Sequence, residues 1–196
     1  NSLIIYIMIR IALVGRIGSG KTFISNLFGY PVFNADESVS KIYSNNKKIF
    51  YKLKKRLPKF FTDPPIKKEE LIKAIVKNKN SLNIISKIVH PEVRKDLQKF
   101  IKKHNKKKVI VLDIPLLLEN KLNKKKDIII FVKSSKKEVL KRLKKRKNFN
   151  NLVFQQLKKI QLPLDIKKRH SHYVIKNNFK KDSVRKNVKD ILNKIL

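Results

Sequence analysis

Residues 15–22 read Gly15-Arg16-Ile17-Gly18-Ser19-Gly20-Lys21-Thr22. The segment fits the pattern G-x-x-x-x-G-K-[ST] of a P-loop, in which backbone N–H groups cradle phosphate oxygens. That motif requires a strand before it and a helix after it. Residues 3–14 are apolar and rich in β-branched side chains, as in a buried parallel strand. Residues 23–28 read as a short helix that stops at Gly29, with Pro31 just beyond.

The chemistry of this loop follows from its residue types. Glycines let successive N–H groups converge on an anion without a Cβ in the way, and the helix dipole favours the same charge. Lys21 is predicted to reach the β- and γ-phosphates, and the Thr22 hydroxyl is predicted to bind Mg²⁺. The alternative is a glycine-rich turn that merely joins strand to helix. The predicted nucleotide-binding residues are Gly15, Gly18, Ser19, Gly20, Lys21 and Thr22.

Length and composition limit the possibilities further. A chain of 196 residues with 41% hydrophobic content suits one α/β domain with a small inserted lobe. Cysteine is absent, which excludes disulfides and cysteine-based zinc sites and favours the cytoplasm. No apolar stretch is long enough to span a bilayer, so no membrane partner is predicted. Met8 is the one methionine and the expected native start, with residues 1–7 as upstream extension.

The formal net charge of +36 raises the question of a nucleic-acid partner. The lysines are spread over nearly every predicted helix, together with abundant Asn and Ile, which favours a chain-wide bias with Lys on solvated faces. A basic nucleic-acid-binding ATPase is the competing hypothesis. Against it, no aromatic stacking platform and no separate basic domain are evident. We therefore predict no specific nucleic-acid partner.

A candidate catalytic carboxylate follows the second predicted strand, residues 30–34. Asn34-Ala35-Asp36 is expected at the carboxyl end of that strand, where open α/β sheets bind ligands. Asp36 suits a general base or a magnesium partner. It also suits the N-cap of a helix over residues 37–43. The two roles are compatible.

Residues 41–108 look helical and basic, with breaks at Pro58, at residues 63–65 and before Pro91. Because this stretch separates the second strand from the third, it is predicted to form the substrate-side lobe. Pro91 is expected to open a helix over residues 92–103. His90 would then be an N-cap or a packing residue.

A third strand, residues 109–113, ends at Asp113, the Walker-B-like position near Mg²⁺. Residues 114–119 are expected to turn into a helix, with Glu119 either a cap or a substrate contact. Residues 127–132 form the predicted fourth strand.

The helix predicted over residues 136–147 places Arg142 and Arg146 four residues apart on one face. Two such arginines could clamp transferring phosphates as a lid, or they could belong to a solvated basic face. A helix over residues 152–161 is broken at 162–164. Residues 173–175 are the predicted fifth strand, and residues 182–196 form the last helix.

These segments together resemble the bacterial dephospho-CoA kinases. The resemblance is carried by residues 11–22, 34–36, 88–91, 113–119, 142–146 and 161–177. The P-loop is shared by many NTPases, whereas D-x-P-L-L-x-E at 113–119 and the late Q-x-P-L…V-I-x-N pattern are far more particular. Another small P-loop kinase, for nucleoside monophosphates or shikimate, is the nearest alternative.

The resemblance implies ATP-dependent phosphorylation of the ribose 3′-hydroxyl of dephospho-CoA, the final step of coenzyme A synthesis, with ATP and Mg²⁺ as cofactors. It implies a P-loop kinase fold with a five-stranded parallel sheet flanked by helices. The expected parts are a core over about 8–36, 107–135 and 171–196, a helical CoA-side lobe over 37–106 and a lid over 136–170. We expect a monomer or weak oligomer.

The resemblance also implies roles for particular residues. Asp36 corresponds to the proposed base, and with Thr22 it is a predicted metal contact. Asn177 lies near the expected adenine-binding end. The implied catalytic residues are Lys21, Asp36, Arg142 and Arg146. The implied substrate-binding residues are Asp36, His90, Asp113, Pro115, Leu116 and Glu119.

The chain departs from the family pattern at several positions. Arg16 stands where glycine is usual, and Asn34 where an aspartate is usual, which removes one negative charge. Lys67-Lys68 replaces an Asp-Arg pair, and Ser171-His172 replaces an Ala-Asp pair. None of these changes removes the predicted catalytic residues.

Overall fold

The computed structural model describes residues 8–146 and 149–196. Its sheet has five parallel strands in the order β2-β3-β1-β4-β5, which confirms the predicted fold class. The strands are β1 (Ile9–Gly15), β2 (Val32–Asn34), β3 (Val109–Asp113), β4 (Ile128–Ser134) and β5 (Tyr173–Asn177). Residues 1–7, the expected extension, lie outside the described part.

The central strands are buried on both faces, as parallel strands covered by helices must be. Ile11 and Leu13 of β1 and Val109 and Val111 of β3 have no exposed surface. The register brings the carboxyl ends of neighbouring strands to one edge: Asn34 pairs with Asp113, and Ser134 pairs with Asn177. Polar residues at strand ends are thereby collected at the edge that also carries residues 15–22.

Helices connect and cover these strands. They are α1 (Lys21–Leu27), α2 (Ala35–Asn45), α3 (Lys47–Arg56), α4 (Lys68–Lys77), α5 (Ser81–Lys103), α6 (Lys136–Lys144), α7 (Asn151–Lys159), α8 (Leu164–Arg169) and α9 (Lys181–Ile195). The long basic stretch predicted as helical is helical, but α8 was not predicted. No helix in the described stretches is both long and apolar enough to cross a bilayer.

The chain divides into two compact units. The first, residues 8–34, 101–146 and 161–196, contains the sheet together with α1, α6, α8 and α9. The second, residues 35–100 and 149–160, is helical and has its own core around Phe50, Leu53 and Phe61.

The prediction that Pro91 opens a helix is wrong, because α5 runs through it. A proline inside a helix removes one hydrogen bond and strains the turn before it. The buried stripe Ile85, Val89, Val93 and Leu97 continues at four-residue spacing on both sides of Pro91 and holds the helix together. His90 is therefore inside a helix and is not an N-cap.

Two further local predictions are wrong. Residues 115–121 form successive hydrogen-bonded turns and no helix, with Lys121 at a φ of 51°. Pro115 has no N–H to donate to a helical hydrogen bond, and the Leu117 side chain is buried in the core. Helix α2 begins at Ala35, so Asp36 lies in its first turn and not at the N-cap position.

The helix predicted over residues 136–147 is too long, because α6 ends at Lys144 and Arg146 lies beyond its end. Residues 141–146 carry five cations, and like charges at helical spacing oppose continuation of the helix. Leu143 is the last buried residue of α6. Residue 147, at the end of the predicted helix, lies outside the described residues.

An ion pair between Arg10 and Asp127 lies at the amino-terminal end of the strands, opposite the end that carries residues 15–22. The Arg10 guanidinium donates a hydrogen bond from Nη2 to Asp127 Oδ2 at 3.0 Å, and its Nε lies 3.0 Å from Asp127 Oδ1. Burial raises the pKa of Asp127, while the Lys124 N–H and Arg10 act in the other direction. The pair fixes β1 next to the start of β4, at the end of the sheet away from residues 15–22.

Candidate active site

The glycines of residues 15–22 adopt the conformations that a phosphate-binding loop needs. Gly18 and Gly20 have φ angles of 78° and 88°, in the left-handed region that favours glycine. A Cβ at Gly18 would lie 2.9 Å from the Leu143 side chain. A Cβ at Gly20 would collide with the side-chain amide nitrogen of Asn177. These positions therefore admit glycine alone without rearrangement.

Helix α1 starts directly after this turn, so its first N–H groups face the loop. Lys21 is its first residue and is only 7% exposed. The Lys21 ammonium donates a hydrogen bond to the carbonyl of Arg16 at 3.0 Å, across the loop. The cation is thus held over the same backbone that is expected to surround phosphate.

Thr22 and Asp113 meet at the carboxyl edge of the sheet. The Thr22 hydroxyl donates to Asp113 Oδ2 at 2.5 Å, although 91 residues separate the two. Asn34 on β2 approaches the same oxygen, with its amide nitrogen at 3.4 Å. A hydroxyl and a carboxylate beside a P-loop are the two protein groups that hold Mg²⁺ in P-loop NTPases. The Thr22 hydroxyl and the Asp113 carboxylate are oxygen donors that would suit a magnesium ion at this edge.

Two predicted site residues belong to the second unit. Asp36 is exposed in the first turn of α2, which follows β2 without a gap. His90 is half-buried in the middle of α5. Burial lowers the pKa of His90, and the positive charge of Arg94 lowers it further. His90 is therefore a neutral side chain at neutral pH, suited to hydrogen bonding and not to charge pairing.

The turns over residues 115–121 expose part of Pro115 and Leu116 beside the end of β3. Glu119 makes its contacts with other residues of the protein. Its Oε1 lies 2.7 Å from the Lys167 ammonium and accepts a hydrogen bond from the Leu162 N–H at 2.9 Å. The proposed contact of Glu119 with substrate stays a prediction, and the structure adds an ion pair that sequence reasoning missed.

Arg142 lies on α6 with its guanidinium 4.2 Å from the centre of the Phe179 ring, within range of a cation–π contact. Phe179 has a φ of 62°, which is unusual for a bulky side chain. The neighbouring Leu143 packs next to Gly18. Helix α6 is thus placed against both the glycine loop and the turn after β5.

Asn177, at the end of β5, is 4% exposed and joins these parts. Its amide nitrogen donates to the Ser19 carbonyl at 2.7 Å, and its Oδ1 accepts from the Phe179 N–H at 2.8 Å. Sequence reasoning placed Asn177 at the adenine end of the site. In the structure its polar atoms hold the glycine loop and the turn after β5.

Comparison with known proteins agrees with this geometry. The dephospho-CoA kinase family model matches residues 9–182. The chain belongs to the dephospho-CoA kinase family. It is a kinase that phosphorylates the ribose 3′-hydroxyl of dephospho-CoA, the final step of coenzyme A synthesis.

Individual relatives extend the match over nearly the whole chain. A dephospho-CoA kinase from Wolbachia pipientis wMel is 32% identical over 190 residues, covering 94% of this chain and 97% of the relative. Among solved structures, TT1252 from Thermus thermophilus has a TM-score of 0.77 at 23% identity, with 96% of this chain and 98% of that chain covered. A dephospho-CoA kinase from Campylobacter jejuni has a TM-score of 0.64 at 20% identity, with 95% and 96% covered. At these identities the two structures support the fold.

Proposed function

We propose that the chain binds ATP through residues 15–22 and Mg²⁺ through Thr22, Asp113 and Asp36, and that Asp36 activates the 3′-hydroxyl of dephospho-CoA. The observation that carries the proposal is the Thr22–Asp113 contact next to a glycine turn of P-loop shape. Mg²⁺ supplies charge neutralisation at the phosphates when it is bound. Side chains of this protein would supply the other functions, which are charge stabilisation and acceptance of the hydroxyl proton.

Lys21 and the arginines would stabilise charge on the transferring phosphoryl group, which is the main task in phosphoryl transfer. Lys21 is already inside the loop. Arg142 is within reach of the loop through α6, and Arg146 follows the end of that helix. We assign these three cations to the phosphates and Asp36 to the proton of the acceptor hydroxyl.

The acceptor side would be lined by exposed parts of Pro115 and Leu116, with Asp113 next to them. His90 and Glu119 complete the proposed set. The neutral state of His90 at neutral pH suits a hydrogen bond to a sugar hydroxyl or an amide of the substrate.

A substrate panel tests the acceptor. We expect ADP release with dephospho-CoA, and none above background with adenosine or shikimate, because the acceptor groups differ from those of other small P-loop kinases. A coupled ADP-release assay with the three acceptors in parallel measures this. Equal turnover with shikimate would contradict the acceptor assignment while leaving the ATP site intact.

Asn177→Ala should weaken ATP binding by loosening the glycine loop. The substitution leaves the buried Ser19 carbonyl and the Phe179 N–H without their partner, at about 1–3 kcal/mol. The glycine loop then loses its support from β5, so we expect a higher Kd for ATP by isothermal titration calorimetry. Asn178→Ala is the matched control, because Asn178 makes hydrogen bonds in the same turn with Ser183 and Lys180. Equal ATP affinity in the two variants would rule out this role.

For partners and compartment we propose a monomer or weak oligomer in the cytoplasm, without a membrane or specific nucleic-acid partner. Among the lysines of residues 8–146 and 149–196, only Lys21 and Lys167 are buried. The other lysines lie on surface or partly exposed positions, which supports a chain-wide bias in composition over a dedicated binding face.

A further inference from the structure

Lys167 is a buried cation to which the proposed mechanism assigns no role. Its side chain has no exposed surface, and its ammonium lies 2.7 Å from Glu119, whose side chain is 9% exposed. A buried ion pair is seldom the most stabilising choice, since apolar residues of similar size often serve the fold equally well or better. The location of this pair therefore points to a geometric role.

The pair sits at one end of a segment that has no helix or strand of its own. Residues 114–121 are held internally by turn hydrogen bonds such as Leu117 N–H to the Ile114 carbonyl at 3.2 Å. At the front of the segment, Asp113 is fixed by the Thr22 hydroxyl. At the back, Glu119 is fixed by Lys167 and by the Leu162 N–H. Pro115 and Leu116 lie between these two anchors.

We propose that Lys167 and Glu119 are positioning residues that set the conformation of residues 114–121 for the acceptor substrate. The inference rests on the proposed function, in which Pro115 and Leu116 line the acceptor site. Asp113 ties one end of the segment to the phosphate-binding loop. The Glu119–Lys167 pair ties the other end to α8. Contacts at both ends of the segment thereby hold the acceptor surface in register with the phosphate-binding loop.

The polar atoms around the pair support a dedicated arrangement. Glu119 Oε1 accepts a hydrogen bond from the Leu162 N–H and lies 2.7 Å from the Lys167 ammonium, so the carboxylate contacts both α8 and the chain just before it. The Ser171 hydroxyl donates to the Lys167 carbonyl at 2.7 Å and secures the end of α8. Rigid support of this kind is what keeps contact residues within the tolerance that a reaction requires.

The test uses the double variant Glu119→Gln/Lys167→Met in the full chain. The introduced amide can still accept from the Leu162 N–H, and the introduced thioether side chain fills the buried site without a charge, so neither partner is left ionised and alone. We expect the variant to fold, with a roughly tenfold higher KM for dephospho-CoA from the misplaced acceptor surface and an unchanged KM for ATP. Lys168→Met makes the same chemical change one residue away on the exposed side of α8 and should leave both constants unchanged.

Hydrogen exchange of the free protein provides a readout apart from activity. Amides of residues 114–121 should exchange faster in the double variant than in wild type or Lys168→Met, while β1 and β3 stay protected. Glu119→Gln alone serves if the double variant fails to fold, because its amide oxygen can still accept from the Leu162 N–H and from the Lys167 ammonium while the ion pair is lost.

The outcomes are distinct. Wild-type exchange in residues 114–121 would overturn the positioning role even if the KM for dephospho-CoA rose, because loss of a direct Glu119 contact with substrate would raise that KM without loosening the segment. An equal rise in the KM for both substrates would also overturn it, since that result indicates general loosening. Inactivity of the wild-type protein with dephospho-CoA would instead reject the proposed function.

Discussion

Lys21→Ala should lower turnover with dephospho-CoA by at least about 10³-fold, because it removes the buried cation expected at the transferring phosphates. Lys21 is the first residue of α1, and its ammonium already lies against the loop through the Arg16 carbonyl. No other lysine of the described residues is both buried and part of the loop. Steady-state ADP release with saturating ATP and dephospho-CoA measures the effect.

The control for this variant is Lys189→Ala, which removes the same charge from an exposed position on α9. It should retain wild-type turnover. Thermal melting of both variants separates a catalytic defect from unfolding. Near-wild-type turnover in a folded Lys21→Ala protein would exclude Lys21 from phosphate stabilisation.

Asp36→Asn should lower kcat by about 10²- to 10⁴-fold if the carboxylate accepts the proton of the acceptor hydroxyl. Asparagine keeps the size and the hydrogen-bonding capacity of the side chain but cannot take up a proton. Because Asp36 is exposed in the first turn of α2 and is not its N-cap, loss of helix capping does not account for such an effect. Pre-steady-state measurement of CoA formation reports the chemical step directly.

Glu37→Gln is the matched control for Asp36→Asn. Glu37 is the next residue, is exposed and contributes the other acidic charge in the first turn of α2. Both substitutions remove one negative charge near the start of that helix, so both lose the same favourable interaction with the helix dipole. Equal kinetics in the two variants would assign Asp36 a structural role only.

Much of the fold was predictable from short-range patterns. Apolar runs rich in β-branched residues identified β1, β3 and β4, because strands buried on both faces are apolar along most of their length. The glycine spacing of residues 15–22 identified the phosphate-binding turn, since only glycine tolerates the φ angles at Gly18 and Gly20. The particular motifs around Asp113 and Asn177 indicated the family, which the comparisons confirm.

Local rules misjudged segments in which tertiary contacts override them. Proline normally ends a helix, yet the buried stripe on both sides of Pro91 keeps α5 continuous. Residues 114–119 were expected to turn into a helix, but Leu117 is buried in the core and the segment stays in turns. Arg142 and Arg146 were predicted on one helix, but α6 stops at Lys144, before Arg146.

By itself the sequence determined the strands, most of the helices, the phosphate-binding turn and the family, because hydrophobic periodicity and glycine geometry act over a few residues. The tertiary structure decided which distant side chains meet: Asn177 with Ser19 across 158 residues, Thr22 with Asp113 across 91, and Lys167 with Glu119 in the core. These pairings depend on how strands are ordered and how helices pack on them. Lys167 is buried beside Glu119 only because this packing removes its side chain from water.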